Sequence, residues 1–64
     1  MSMTSTYQSY TIKMRRSDGA KWRVTVFWQN HPVFEELESE RFNTNHEAFD
    51  RACEVIDATN KAMF

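Results

Sequence analysis

The stretch YTIKMRRSDGAKWRVTVFW, running from Tyr10 to Trp28, alternates apolar and polar residues on either side of a single Asp18-Gly19 break. Tyr10, Ile12 and Met14 fall on one side of an extended chain, with Thr11, Lys13 and Arg15 on the other. Beyond the break Trp22, Val24, Val26 and Trp28 separate in the same way from Arg23, Thr25 and Phe27. A period of two marks strands with one buried face each. The break then sets the register, because residues facing each other across an antiparallel pair share a side of the sheet. A two-residue Asp18-Gly19 loop would place Met14 opposite Arg23 and mix the faces. A three-residue loop of Ser17, Asp18 and Gly19, with Gly19 left-handed, places Met14 opposite Trp22, Ile12 opposite Val24 and Tyr10 opposite Val26. It also stacks Lys13 on Arg23 and Arg15 on Lys21 on the open face.

Working outward, His31-Pro32 predicts a turn, since proline lacks an N–H and drives its predecessor toward extended geometry. In Glu35 to Phe42, Leu37 is offset by one from Glu36, Glu38 and Glu40. A third strand with Leu37 inward would put those carboxylates on the open face, and a short helix is the alternative. Thr44-Asn45-His46-Glu47 fits a capping box and opens a helix. Along it Phe49, Ala52, Cys53, Ile56 and Met63 recur at helical spacing, with Ala48 and Val55 beside them. The expected core is Tyr10, Ile12, Met14, Trp22, Val24, Val26, Trp28, Leu37, Phe49, Ala52 and Ile56. The fold class is α+β: a three-stranded antiparallel sheet, ββ(β)α, with one C-terminal helix on one face. Residues 1–64 form a single domain, and Met1 to Thr6 read as a flexible N-terminus.

At 64 residues the chain has room for one thin core and little support for a deep catalytic cleft, which disfavours an enzyme. The single cysteine, Cys53, leaves no partner for an internal disulfide, and a reducing cytoplasm is the expected setting. No apolar run approaches the roughly 18 residues that span a bilayer, and Met1 to Tyr10 lacks the pattern of a secretory leader. His31, His46 and Cys53 do not have metal-ligand spacing, and Cys53 sits on the apolar stripe, where a thiol packs rather than reacts. Gly19 is the only glycine, so no phosphate-cradling loop exists. No catalytic, cofactor or metal site is expected.

The formal net charge of −1 averages two unlike halves. Residues 1–31 hold Lys13, Arg15, Arg16, Lys21 and Arg23 against Asp18 alone, whereas residues 32–64 hold three cations against eight carboxylates. On the helix Glu47, Asp50, Glu54 and Asp57 recur at i, i+3, i+7 and i+10, a stripe about 15 Å long at 1.5 Å rise per residue. Beside Glu36, Glu38 and Glu40, such a row can imitate nucleic-acid phosphates and occupy a basic groove of a partner protein. It is equally the composition of a solvated helix face with i, i+4 pairs from Glu47 to Arg51 and from Asp57 to Lys61. Lys13, Arg15, Lys21 and Arg23, with Thr11, Thr25 and Phe27 on the same open face, suit a phosphate backbone. A third strand beside the second would instead neutralise them with Glu36, Glu38 and Glu40. Phe27 and Trp28, at the end of the second strand, are candidate interface anchors.

The hairpin Tyr10 to Trp28, the acidic run Glu35 to Glu40 and the acid-striped C-terminal helix together resemble the organisation of small bacteriophage-encoded anti-CRISPR proteins that inhibit type I systems. From Tyr10 to Ala58 the chain is also similar to the HicB-like antitoxin fold: a strand, a turn at Asp18-Gly19, a strand carrying Trp22, and Glu47-Ala48 opening a helix. The third segment is more acidic than that fold leads one to expect, and no DNA-binding segment follows. The first resemblance implies a non-enzymatic inhibitor in the host bacterial cytoplasm, a monomer or weak homodimer. It would bind the basic surface of a nucleic-acid-binding effector subunit through Glu36, Glu38, Glu40, Glu47, Asp50, Glu54 and Asp57. The alternative is a small nucleic-acid-binding or antitoxin-type regulator that uses the open sheet face.

Overall fold

A computed structural model describes residues 1–62, and in it a four-stranded antiparallel meander carries one helix across one face. The strands are β1 (Ser2–Tyr7), β2 (Tyr10–Arg15), β3 (Arg23–Trp28) and β4 (His31–Val33), paired in chain order. The 3-10 segment Glu35–Ser39 follows, then the helix α1 (Asn45–Ala62). The α+β class with a C-terminal helix is as expected; the strand count is four rather than three.

The added first strand is the N-terminal segment read as flexible. Ser2–Tyr7 pairs along its whole length with β2, from Ser2 opposite Arg15 to Tyr7 opposite Tyr10. The turn closing this hairpin is Gln8-Ser9, with φ of 52° and 71°. Two successive left-handed residues make the turn whose twist matches a β-hairpin, a job Asn-Gly usually does, so no glycine signals it in the sequence.

Between β2 and β3 the faces are as expected, but the register is shifted by two residues. Met14 lies opposite Val24, Ile12 opposite Val26, Lys13 opposite Thr25 and Arg15 opposite Arg23. An even shift leaves every side chain on its own face. The strands part after Arg15, and the loop is longer than three residues. Ala20 N–H donates to the Ser17 carbonyl at 3.0 Å across Asp18-Gly19, and Gly19 is left-handed at φ 72°. Trp22 falls outside β3 and makes a two-bond bridge to Phe42 instead, at 2.8 and 3.0 Å.

His31-Pro32 is not the turn either. The reversal comes two residues earlier, at Gln29-Asn30, φ 49° and 69°, and Pro32 stands in β4 opposite Phe27. An edge strand tolerates a residue without an N–H. Beyond it the chain does not form the long third strand. Leu37 N–H donates to the Phe34 carbonyl and Glu40 N–H to that of Leu37, which curls Glu35–Ser39 into a 3-10 turn. This buries Leu37 completely while Glu35, Glu36 and Glu38 point to solvent. A strand would have lined three carboxylates on one face, with glutamates poorly suited to the pleat.

The core is Ile12, Met14, Trp22, Val24, Val26, Leu37, Ala48, Ala52 and Ile56. The helix contributes Ala48, Ala52 and Ile56, one residue per turn, so its central ridge runs through Ala48 rather than the expected Phe49. Two alanines on that ridge let the backbone approach the sheet closely. Phe49 and Tyr10, expected inside, are half-buried against the core, and Trp28, which fits either the core or an interface anchor by sequence, is 39% exposed. Met63, expected on the stripe, lies outside the described residues.

Candidate functional site

The helix start follows from its cap. Glu47 N–H donates to Thr44 Oγ1 at 3.1 Å, and the Thr44 hydroxyl donates to Glu47 Oε1 at 3.4 Å. Glu47 thus sits in the first turn, where the helix dipole favours a carboxylate. With Ala48, Ala52 and Ile56 inward, Glu47, Asp50, Glu54 and Asp57 all emerge exposed, with Asp57 on the flank that reaches β1. The stripe therefore exists as a surface, and two of its four acids, Glu54 and Asp57, are engaged by other side chains outside the cap. Glu54 pairs with Arg51 at 2.7 Å, Asp50 lies 3.3 Å from His46 Nε2, and both Asp57 carboxylate oxygens accept from the Tyr7 hydroxyl, at 2.9 and 3.1 Å. The Asp57 carboxylate holds the Tyr7 phenol above its usual range, chiefly through that hydrogen bond.

The second acidic group scatters. Glu40 leaves the sheet altogether and takes a forked contact from Arg51, Nε to Oε1 at 3.1 Å and Nη2 to Oε2 at 3.4 Å, which ties the end of the 3-10 segment to α1. These contacts raise the Arg51 guanidinium above its ordinary value, the Glu40 hydrogen bond most of all. Glu36 is exposed, and Glu38 stands beside Arg15, Arg23 and Thr25. Of the three strand carboxylates expected to neutralise Arg23 and Lys21, Glu38 alone borders the sheet cations, without a close ion pair. Among the described residues no carboxylate lies within 4 Å of a charged nitrogen of Lys13, Arg15, Lys21 or Arg23.

Those cations shape the opposite side of the molecule. Lys13, Arg15 and Arg23 project from neighbouring strands onto the sheet face without a helix, and Lys21 sits exposed in the loop beside them. β1 widens this face with Ser2, Thr4 and Thr6, which no sequence signal beyond their β-favouring threonines pointed to. Lys13 Nζ lies 4.9 Å from the centre of the Phe27 ring, a cation held over an aromatic plane. The strands curve into a shallow depression of about 550 Å³, floored by Lys13, Arg15, Thr25 and Phe27 and bounded by Thr4 and Glu38.

Cys53 is half-buried against the core, and its thiol is pushed up, first by burial and then by Asp57 and Asp50. Among the described residues no group of three His, Cys, Asp or Glu side chains is placed to hold a metal ion, and no helix is long and apolar enough to cross a membrane. Comparison with protein-family models, with curated proteins and with solved structures finds no match to this chain.

Proposed function

We propose that this chain is a non-enzymatic binding protein whose open sheet face takes the phosphate backbone of a nucleic acid. The observation that carries the reading is the asymmetry of pairing: Lys13, Arg15 and Arg23 share one open face with no carboxylate in ion-pair range among the described residues. Glu40, Glu54 and Asp57 are meanwhile held by the chain itself. Unpaired cations beside threonine hydroxyls and an aromatic plane are the groups that position a sugar-phosphate strand and stack on a base. Fluorescence anisotropy of a labelled duplex and of a labelled single strand, titrated at low salt, tests this. Three phosphate contacts give a log affinity that falls with log salt at a slope of about −2.7 on the duplex and about −2 on the single strand. Lys13→Gln with Arg15→Gln should abolish the signal; a parent that binds neither strand at low salt refutes the reading.

The exposure of Glu47, Asp50, Glu54 and Asp57 along the helix, with Glu36 exposed on the 3-10 segment, supports a second reading, inhibition of the anti-CRISPR kind by phosphate mimicry. It requires salt-sensitive binding to a basic nucleic-acid-binding protein, in competition with duplex DNA. Glu47→Gln, Asp50→Asn, Glu54→Gln and Asp57→Asn should then remove binding, which the sheet-face substitutions should spare.

A further inference from the structure

The two edges of the sheet are treated differently. Along β3 the outer edge is occupied by β4, the 3-10 segment and the Trp22–Phe42 bridge, and β4 itself is three residues long and carries Pro32. Short strands and proline are the usual protection against unwanted pairing. β1 has no such protection: Ser2–Tyr7 is six residues without proline, glycine or a charged side chain, paired to β2 in unbroken register. Met1 and Arg16 exchange both backbone bonds at 3.0 Å, so the odd residues of β1 bond inward to β2. The N–H and C=O groups of Ser2, Thr4 and Thr6 therefore face outward.

We propose that β1 is a pairing edge for a second copy of this chain, joined antiparallel about a twofold axis at Thr4. The parity demands even residues opposite even ones: Thr4 meets Thr4 and Ser2 meets Thr6, each as a doubly hydrogen-bonded pair. Every residue keeps its face, and the two sheets become one of eight strands. On the helix side Met3 then faces Ser5 of the second copy. Met3 is 44% exposed, accepts from Asn45 Nδ2 at its sulfur, and lines a mostly apolar notch of about 250 Å³ with Ser5, Met14, Asn45, His46 and Phe49. The symmetry lets each copy place its Met3 against the other's notch, a self-complementary exchange that a foreign strand would not reproduce. The strands bring no like charges together, and antiparallel docking turns the Arg15–Arg16 end of one copy toward the Tyr7–Asp57 end of the other. Pairing leaves the basic faces uncovered and coplanar, and it does not depend on what they bind.

Sedimentation equilibrium of the full chain over about 1 µM to 1 mM tests the proposal. A monomer–dimer equilibrium is expected in that range. Thr4→Pro removes an outward N–H without touching the β1–β2 ladder, and it should weaken dimerisation tenfold or more with circular dichroism unchanged. Met3→Lys, which adds charge at the notch and alters no backbone group, should do the same and serves if Thr4→Pro unfolds. A parent that is monomeric at 1 mM, or folded Met3→Lys that dimerises like the parent, overturns it. In the dimer, exchange of the Thr4 and Thr6 amides should slow as protein concentration rises; concentration-independent exchange at those amides also overturns it.

Discussion

Trp22 ties three parts of the molecule together. It is buried in the core, its backbone bridges Phe42, and the Arg16 guanidinium lies 5.4 Å from its ring. Truncating a buried aromatic costs about 3–5 kcal/mol, against a total of roughly 3–10 kcal/mol for a domain of this length. Trp22→Ala should therefore be largely unfolded in a urea titration, and a cooperative transition near the parent's midpoint would contradict the packing described. Cys53 makes a different prediction. Its thiol is pushed up by burial and by the neighbouring Asp57 and Asp50, so less thiolate is present near pH 8 than at an unhindered cysteine. Alkylation by iodoacetamide should be slower in the native protein than in urea, and equal rates would place the thiol in solvent.

At the scale of elements, the β1–β2 hairpin closes through a turn its residues do not favour. Gln8 and Ser9 both hold positive φ, which Asn and Gly adopt more readily. Gln8→Asn with Ser9→Gly should stabilise the protein by about 0.5–2 kcal/mol, read from the denaturation midpoint. Loss of stability would mean that β1 is not held by this turn. The 3-10 segment depends on more distant support: Leu37 beneath it and the Arg51 fork at its end. Arg51 and Glu40 are each about a third exposed, which limits their coupling in a double-mutant cycle to about 1 kcal/mol or less.

Across the whole molecule, the chain separates charge between a basic sheet face and an acidic helix face, and the Tyr7–Asp57 contact joins β1 to the far end of α1. Because the Tyr7 phenol titrates higher in the folded state than in the unfolded one, the folded state binds its proton more tightly. The stabilisation is complete below the unfolded tyrosine range near pH 10 and is lost as pH rises through the folded value. Melting temperature should fall in that alkaline window, and Tyr7→Phe should flatten the fall while lowering stability at neutral pH. An unchanged alkaline profile in Tyr7→Phe would assign the loss to another group.

Features that depend on neighbours a few residues apart are legible in the amino-acid order. Alternation placed Ile12, Met14, Val24 and Val26 on one face of two strands, and Thr44 with Glu47 located the start of the helix. Those patterns survive the two-residue slip of the hairpin, because an even slip preserves sides. The remaining features rest on contacts between residues distant along the chain. β1 is a weak strand alone, with Ser2, Thr4 and Thr6 carrying no apolar alternation, and it forms because the edge of β2 offers it a ladder. Leu37 was legible as buried, but whether a strand or a turn buries it depended on the space left between β3 and α1. The carboxylates show the same division most sharply. Their spacing on the helix was readable, whereas the attachment of Glu40 to Arg51 and Asp57 to Tyr7 was not. An ion pair or hydrogen bond exists only at contact distance, and the fold sets that distance.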